Sequence, residues 1–174
     1  MQIQRVLVIG AGTMGGGIAA HCANVGLSVT LLDVLAEGPD RNATVKALWE
    51  RQVKARPAAL SGPESAERVA LGNTEDDLED AARTADWIIE VIIEKLEPKQ
   101  ALMAKLEPLR KDGAIVTTNT SGIPIRSIAA ERGEDFRRAF FGTHFFNPPR
   151  YLKLLEVIPT TDTDPSLVDA FEAF

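Results

Sequence analysis

An apolar run near the start of the chain leads directly into a glycine-rich turn, in the stretch Val6-Leu7-Val8-Ile9-Gly10-Ala11-Gly12-Thr13-Met14-Gly15. Gly10 suits a tight turn, Gly12 lets the backbone approach a pyrophosphate, and Gly15 allows a helix to pack closely on the strand. The amides of Thr13 and Met14, at the start of that helix, can bind an anion. The pattern predicts a dinucleotide-binding βαβ unit. The alternative is a glycine-rich turn in an α/β domain without a ligand.

Asp33 ends the next strand-like run, residues 27–33. A carboxylate at this place accepts hydrogen bonds from the adenosine ribose and repels a 2′-phosphate. The sequence therefore predicts NAD, rather than NADP, as the cofactor.

Short β-branched runs alternate with helical patterns along the chain, which is typical of a parallel sheet covered by helices. Strands are predicted at residues 3–9, 27–33, 69–71, 87–93, 114–118, 140–144 and 154–158. Helices are predicted at residues 13–25, 77–83, 96–109 and 125–132. We predict an α/β fold of the Rossmann type, doubly wound and mainly parallel, with an antiparallel C-terminal edge.

Residues 34–68 form a longer connection than one crossover helix requires, and residues 44–56 have helical composition. An inserted helical hairpin is predicted here. Pro57, Gly62 and Pro63 mark its turn, because proline and glycine interrupt helices.

The C-terminal helix is predicted to begin at Pro165. Its apolar residues have little left to pack on: Leu167, Val168, Phe171 and Phe174. We therefore expect residues 1–174 to be one domain and the N-terminal fragment of a longer protein.

Composition excludes several classes of function. The 174 residues are 45% hydrophobic and carry a net charge of −6, so we expect a globular domain and no nucleic-acid partner. No apolar run approaches the ~18 residues that cross a bilayer, so no membrane span is predicted. The single cysteine, Cys22, allows neither an internal disulfide nor a thiolate metal site, and no metal is predicted. A reducing location is expected: cytoplasmic in a bacterium, an organellar matrix in a eukaryote.

Polar residues follow two later strands. Asn119-Thr120-Ser121-Gly122 comes after residues 114–118, where open α/β sheets bind ligands, although these residues equally favour a helix cap or a turn. His144 precedes two phenylalanines, and Glu156 lies in the following strand-like run. If the two strands pair, the carboxylate orients the imidazole as a base. The alternative is a packed structural histidine.

Five motifs in this order resemble the NAD-binding domain of L-3-hydroxyacyl-CoA dehydrogenases. They are Gly10-Ala11-Gly12-Thr13-Met14-Gly15, Glu90-Val91-Ile92-Ile93-Glu94, Asn119-Thr120-Ser121, His144-Phe145-Phe146-Asn147-Pro148 and Lys153-Leu154-Leu155-Glu156-Val157. The resemblance covers essentially the whole chain. The stretch Asn147-Pro148-Pro149-Arg150-Tyr151 is most similar to the large bacterial fusions with an enoyl-CoA hydratase.

The resemblance implies catalytic roles for four residues. His144 matches the family's catalytic base, and Glu156 matches the carboxylate that orients it. Ser121 matches a residue that contacts the substrate hydroxyl and the nicotinamide. Asn147 matches another polar contact in the active site.

The resemblance also implies binding residues. Glu94 and Lys99 match groups that bind the nicotinamide-side ribose, although their spacing equally permits a solvated ion pair at a helix start. The inserted hairpin contributes to coenzyme A binding in the family, which makes Lys54 and Arg56 candidate phosphate partners. Basic residues are nevertheless common on exposed helices. Many relatives have a second serine where this chain has Gly122.

The implied reaction is the NAD-dependent oxidation of L-3-hydroxyacyl-CoA to 3-ketoacyl-CoA in fatty-acid β-oxidation, with acyl-CoA as the substrate. The family's helical C-terminal domain covers the substrate and usually mediates dimerisation. Residues 1–174 lack that domain, so we expect them to bind NAD, to be mainly monomeric and to be nearly inactive. The alternatives are the NAD-binding domain of another hydroxyacid dehydrogenase and a non-catalytic NAD-binding module.

Overall fold

The computed structural model describes residues 2–174, which form a seven-stranded sheet with helices on both faces. The strands are β1 (Arg5–Ile9), β2 (Ser28–Asp33), β3 (Val69–Asn73), β4 (Trp87–Glu90), β5 (Ile115–Thr118), β6 (Phe140–Phe145) and β7 (Leu155–Ile158). The helices are α1 (Thr13–Asn24), α2 (Ala43–Val53), α3 (Pro63–Ala66), α4 (Leu78–Thr84), α5 (Leu96–Leu106), α6 (Ile125–Ile128), α7 (Glu134–Arg138) and α8 (Pro165–Glu172). None of these described helices is both long and apolar enough to cross a membrane.

The strand order is β3-β2-β1-β4-β5-β6-β7. Strands β1 to β6 all pair in parallel with their neighbours, and β7 pairs antiparallel with β6. The order reverses between β1 and β4, and open α/β sheets bind ligands at such a switch point, beyond the carboxyl ends of the strands. The predicted doubly wound sheet with an antiparallel C-terminal edge is confirmed.

Two hydrophobic clusters cover the two faces of the sheet. Side chains alternate along β1, so this strand contributes residues to both clusters. Val6 and Val8 belong to the cluster under α1, α2 and α8. Leu7 and Ile9 belong to the cluster under α4, α5 and α7. Because the central strands are buried on both faces, they read as continuous apolar runs in the sequence.

Helix α1 lies against the turn that follows β1. A Cβ atom at Gly15 would overlap the carbonyl oxygen of Gly10, so a residue with a side chain would force α1 away from the turn. The close packing predicted for Gly15 is confirmed. The sequence before α1 therefore fixes where the helix N-terminus stands relative to the sheet.

The insertion between β2 and β3 contains two helices, as predicted, but they are unequal in length. Helix α2 has 11 residues, whereas α3 has only four and begins at Pro63. Side chains from other elements hold the segment that connects them. Asn24 Nδ2 donates to the carbonyl of Ala59 over 2.9 Å, and Arg150 donates to the carbonyl of Ala58 over 2.8 Å.

The helix predicted at residues 125–132 is shorter in the structure, and a second helix follows it. Helix α6 ends at Ile128, and the separate helix α7 starts after Gly133, whose backbone is extended. The amide of Gly133 donates to a Glu107 carboxylate oxygen over 2.5 Å, which fixes this break. A five-residue helix such as α7 is too short to show a helical period in the sequence.

The expectation that α8 has little to pack on is wrong. The ring centroid of Phe171 lies 5.0 Å from that of Trp87 and 5.2 Å from that of Phe141, both edge to face. Val168 is also buried, whereas Phe174 is 53% exposed. The sheet itself supplies the partner for the apolar stripe, because β4 and β6 present these rings towards α8.

This packing predicts unequal effects for two phenylalanine substitutions, one on α8 and one just after its end. Phe171→Ala should lower the free energy of unfolding by about 3 to 5 kcal/mol, because it leaves a cavity between two aromatic rings. Phe174→Ala, the matched control, should change it by less than about 0.5 kcal/mol. Urea unfolding measures both, and equal losses would contradict the assigned packing.

Candidate active site

The turn between β1 and α1 has the geometry that its glycines predict. Gly10 has φ of 103°, a conformation that favours glycine, and its amide donates to the carbonyl of Leu32 over 2.7 Å. Asp33 Oδ2 accepts the amide of Ala11 over 2.5 Å, which ties the ends of β1 and β2 together. The space beside Gly12 is open to 4 Å, so a ligand can approach the start of α1.

Gly12 is also the N-cap residue of α1 and offers no side chain to bond the first amides of the helix. The amides of Thr13 and Met14 stand in this first turn, where the helix dipole favours an anion. The arrangement suits a pyrophosphate at the β1/β4 switch point.

A cavity of about 610 Å³ lies beside this turn. Asp33 and Val34 line it from the end of β2, Ile92 lines it from the segment after β4, and Ala101 and Lys105 line it from α5. Its volume is within the range of small-ligand sites, ~300 to 1,000 Å³. The carboxylate of Asp33 is therefore placed to meet the ribose of a nucleotide bound here.

The histidine and the glutamate predicted to act together are cross-strand partners. His144 on β6 is in register with Glu156 on β7, and Nδ1 lies 2.8 Å from Glu156 Oε2. The other ring nitrogen, Nε2, lies 3.0 Å from Ser121 Oγ. With Nδ1–H donating to the carboxylate, Nε2 carries the lone pair that accepts a proton. The imidazole is thus oriented at both nitrogens, and its side chain is 20% exposed.

The loop that carries Ser121 is held by Glu94. One carboxylate oxygen, Oε1, accepts the amides of Ser121 and Gly122 over 2.9 and 3.1 Å and the hydroxyl of Thr120 over 2.5 Å. Desolvation raises the pKa of Glu94, but these hydrogen bonds and the charge of Lys99 outweigh it and lower that pKa to about 2. Residues 119–122 therefore form a loop outside helix and strand, and this loop places the Ser121 hydroxyl beside the imidazole.

Lys99 is not the solvated member of an exposed ion pair. Its side chain is 1% exposed, and Nζ lies 2.6 Å from Glu90 Oε1 and 3.3 Å from Glu94 Oε2. Glu94 is the accessible partner, with 46% of its side chain exposed. Ribose binding by Glu94 and Lys99 stays a prediction.

The remaining predicted residues lie at the periphery of this geometry. Asn147 is exposed in the loop after β6. Lys54, at the end of α2, forms an exposed ion pair with Glu50, and Arg56 is exposed in the same insertion. Their roles towards substrate stay predictions. Among residues 2–174, no cluster of three or more histidine, cysteine or acidic side chains could hold a metal ion.

Sequence reasoning assigned no role to two residues of the quoted motifs, Asn119 and Glu90. Asn119 Oδ1 accepts the amide of Phe145 over 2.9 Å and so joins the end of β5 to the strand that carries His144. Glu90 lies completely buried beneath the loop that holds Ser121. An acidic residue at the end of the apolar run Trp87-Ile88-Ile89 is a signal that could have identified Glu90.

Comparison with known families agrees with this geometry. The family model described as 3-hydroxyacyl-CoA dehydrogenase, NAD binding domain, matches residues 5–174. The chain belongs to this family. Its cofactor is accordingly NAD, and the glycine turn, Asp33 and the cavity are the parts of the fold that suit it.

Individual relatives carry the same family name. A probable 3-hydroxyacyl-CoA dehydrogenase of Deinococcus radiodurans is 52% identical over all of this chain and 50% of its own length. A Bacillus subtilis protein of the same name is 42% identical over 99% of this chain and 24% of its own length. The crystal structure of M. tuberculosis FadB2 superposes with a TM-score of 0.80 at 32% identity, over 100% of this chain and 60% of that one. The chain thus spans half or less of these two curated relatives.

The position of Asp33 predicts the choice between the two dinucleotides. The protein should bind NAD more tightly than NADP, and Asp33→Ala should weaken NAD binding. Asp33→Asn is the matched control, because its amide oxygen still accepts the amide of Ala11 while the charge that repels a 2′-phosphate is gone. Calorimetry should show the preference for NAD reduced in this variant. Equal affinities in the unaltered protein would remove the assignment.

The low pKa of Glu94 predicts a pH-dependent contribution to stability. A carboxyl group whose pKa falls from 4.5 to about 2 on folding stabilises the protein above pH 4.5 and loses this effect as the pH falls towards 2. Glu94→Gln should therefore be less stable than the unaltered protein near neutral pH, with the difference shrinking below pH 4.5. Urea unfolding across this range measures it, and a difference that does not change with pH would refute the cause.

Proposed function

We propose that the protein is an enzyme that oxidises L-3-hydroxyacyl-CoA to 3-ketoacyl-CoA with NAD, in fatty-acid β-oxidation, and that this chain is its NAD-binding domain. The observation that carries the proposal is the imidazole of His144 bridged between Glu156 and Ser121, at the same end of the sheet as the glycine turn. The arrangement has a base, an orienting carboxylate and a hydroxyl that can hold a substrate oxygen. A purely structural NAD-binding module needs none of the three.

The chain's residues act on the C3 hydroxyl of the substrate. Ser121 Oγ holds the hydroxyl oxygen beside His144 Nε2, which removes its proton. Glu156 keeps the ring in the tautomer whose Nε2 is free to accept that proton. The hydride that leaves C3 would be accepted by the nicotinamide of NAD, which would supply the redox chemistry when bound. The same groups work in reverse, with imidazolium returning the proton to a ketone oxygen.

The relatives and the insertion both support an acyl-CoA substrate. The E. coli protein described as 3-hydroxybutyryl-CoA dehydrogenase superposes with a TM-score of 0.77 at 32% identity, over 98% of this chain and 35% of that one. On the insertion, Arg56 is exposed and Lys54 forms an exposed ion pair with Glu50, and both are candidate partners for coenzyme A phosphates. Asn147 is a further contact for substrate or cofactor at the edge of the site.

The relatives' greater length supports a further part of the proposal. A second domain completes the enzyme, covers the acyl-CoA and carries the dimer contact. Excluding water and fixing the substrate near the imidazole both require such a cover. The predicted reducing location, a bacterial cytoplasm or an organellar matrix, stays a prediction.

Replacement of the base tests the proposed reaction. In the complete protein, His144→Gln should lower the rate of NADH oxidation by 3-ketoacyl-CoA by ~10²-fold to 10⁴-fold, the usual contribution of a general base. Affinity for NAD should stay nearly unchanged, and Glu156→Gln should slow turnover less severely. His21→Gln replaces the chain's other histidine, on α1, and is the matched control. A normal rate in His144→Gln would exclude this mechanism.

A further inference from the structure

Glu90 ends β4 with its carboxylate completely buried in the centre of the sheet. Three donors from three segments converge on it. Oε1 accepts Lys99 Nζ over 2.6 Å and the amide of Ile92 over 2.7 Å, and Oε2 accepts the hydroxyl of Thr118 over 2.5 Å. The carboxylate therefore links the exit of β4, the end of β5 and helix α5.

A continuous series of contacts leads from this pair to the imidazole. Lys99 Nζ, held by Glu90, also lies 3.3 Å from Glu94 Oε2. The other oxygen of Glu94 accepts the amide of Ser121 over 2.9 Å. Ser121 Oγ then lies 3.0 Å from His144 Nε2. Each group in the series is oriented by the one before it.

Stability alone does not account for a buried ion pair at this position. Replacing such a pair by neutral or apolar residues of similar size is often neutral or stabilising, because desolvation offsets the attraction between the charges. The pair does orient Nζ, which lies between Glu90 Oε1 and Glu94 Oε2. Glu94 in turn meets Lys99 with one carboxylate oxygen and the Ser121 loop with the other.

We propose that the buried Glu90–Lys99 pair is a positioning unit, which acts through Glu94 to set the Ser121 hydroxyl against His144 Nε2. This positioning role needs no contact between either member of the pair and the cofactor or substrate. The inference rests on the proposed function only in treating Ser121 and His144 as the reacting groups.

The opposite edge of the sheet provides a matched control. Lys111 forms a partly buried ion pair with Asp86, whose carboxylate caps the amides of Gln4 and Arg5 at the start of β1. This pair ties strand ends together as Glu90 and Lys99 do, but it lies at the amino ends of the strands. Loss of either pair should lower the stability of the fold. Only loss of the Glu90–Lys99 pair should change the environment of His144.

The first measurement is the side-chain ¹⁵N and ¹H spectrum of His144 in this chain at one fixed pH. Lys99→Met should shift the Nε2 signal, because the Ser121 hydroxyl moves away, while Lys111→Met should leave it unchanged. The double variant Glu90→Gln/Lys99→Met removes both buried charges and keeps an acceptor for the Ile92 amide. If Lys99→Met alone does not fold, the double variant takes its place in the measurement. It should shift the Nε2 signal as well.

The second measurement is turnover in the complete protein. The double variant should lose ~10²-fold in kcat with a smaller change in KM, since a misplacement of about 1 Å can cost this much. A folded double variant with an unchanged Nε2 signal would overturn the inference. Inactivity of the unaltered protein towards 3-ketoacyl-CoA would overturn the proposed function. The spectrum needs no substrate, so it tests the positioning role even in that case.

Discussion

The carboxylate of Glu90, buried where β4 leaves the sheet, is the point at which the cofactor side and the reacting side of the site are joined. Its bond to the amide of Ile92 fixes the segment that passes directly over Gly10, where a side chain would overlap the carbonyl of Val91. Its bonds to Thr118 and Lys99 fix the other side. Removing one partner of a buried ion pair typically costs about 3 to 5 kcal/mol, because the remaining charge has no counterion.

The sheet's connectivity explains why the functional groups meet. Parallel strands end at one edge, which gathers the glycine turn after β1, Asp33 after β2 and the Ser121 loop after β5. His144 lies near the end of β6. An antiparallel strand can return directly from that end, whereas a parallel neighbour needs a long crossover connection. Strand β7 returns in this way and places Glu156 opposite His144.

Much of this arrangement could be predicted from the sequence. The alternation of apolar runs and helical patterns predicted the sheet, and the spacing of His144 and Glu156 suggested their pairing. The burial of Lys99 could not be read from the sequence, because lysine on a helix is usually exposed and its burial depends on Glu90 from another element. The packing of Phe171 was also missed, since a helix pattern gives its apolar face but not the surface that covers it.

The decisive measurement is a crystal structure of the protein with NAD and a 3-ketoacyl-CoA. We expect the ketone oxygen within hydrogen-bond distance of both His144 Nε2 and Ser121 Oγ, with C3 about 3 to 3.5 Å from the nicotinamide carbon that exchanges the hydride. We also expect the adenosine ribose on Asp33. A complex in which the ketone oxygen binds away from His144, or in which the nicotinamide lies on the far side of the sheet edge, would contradict this mechanism.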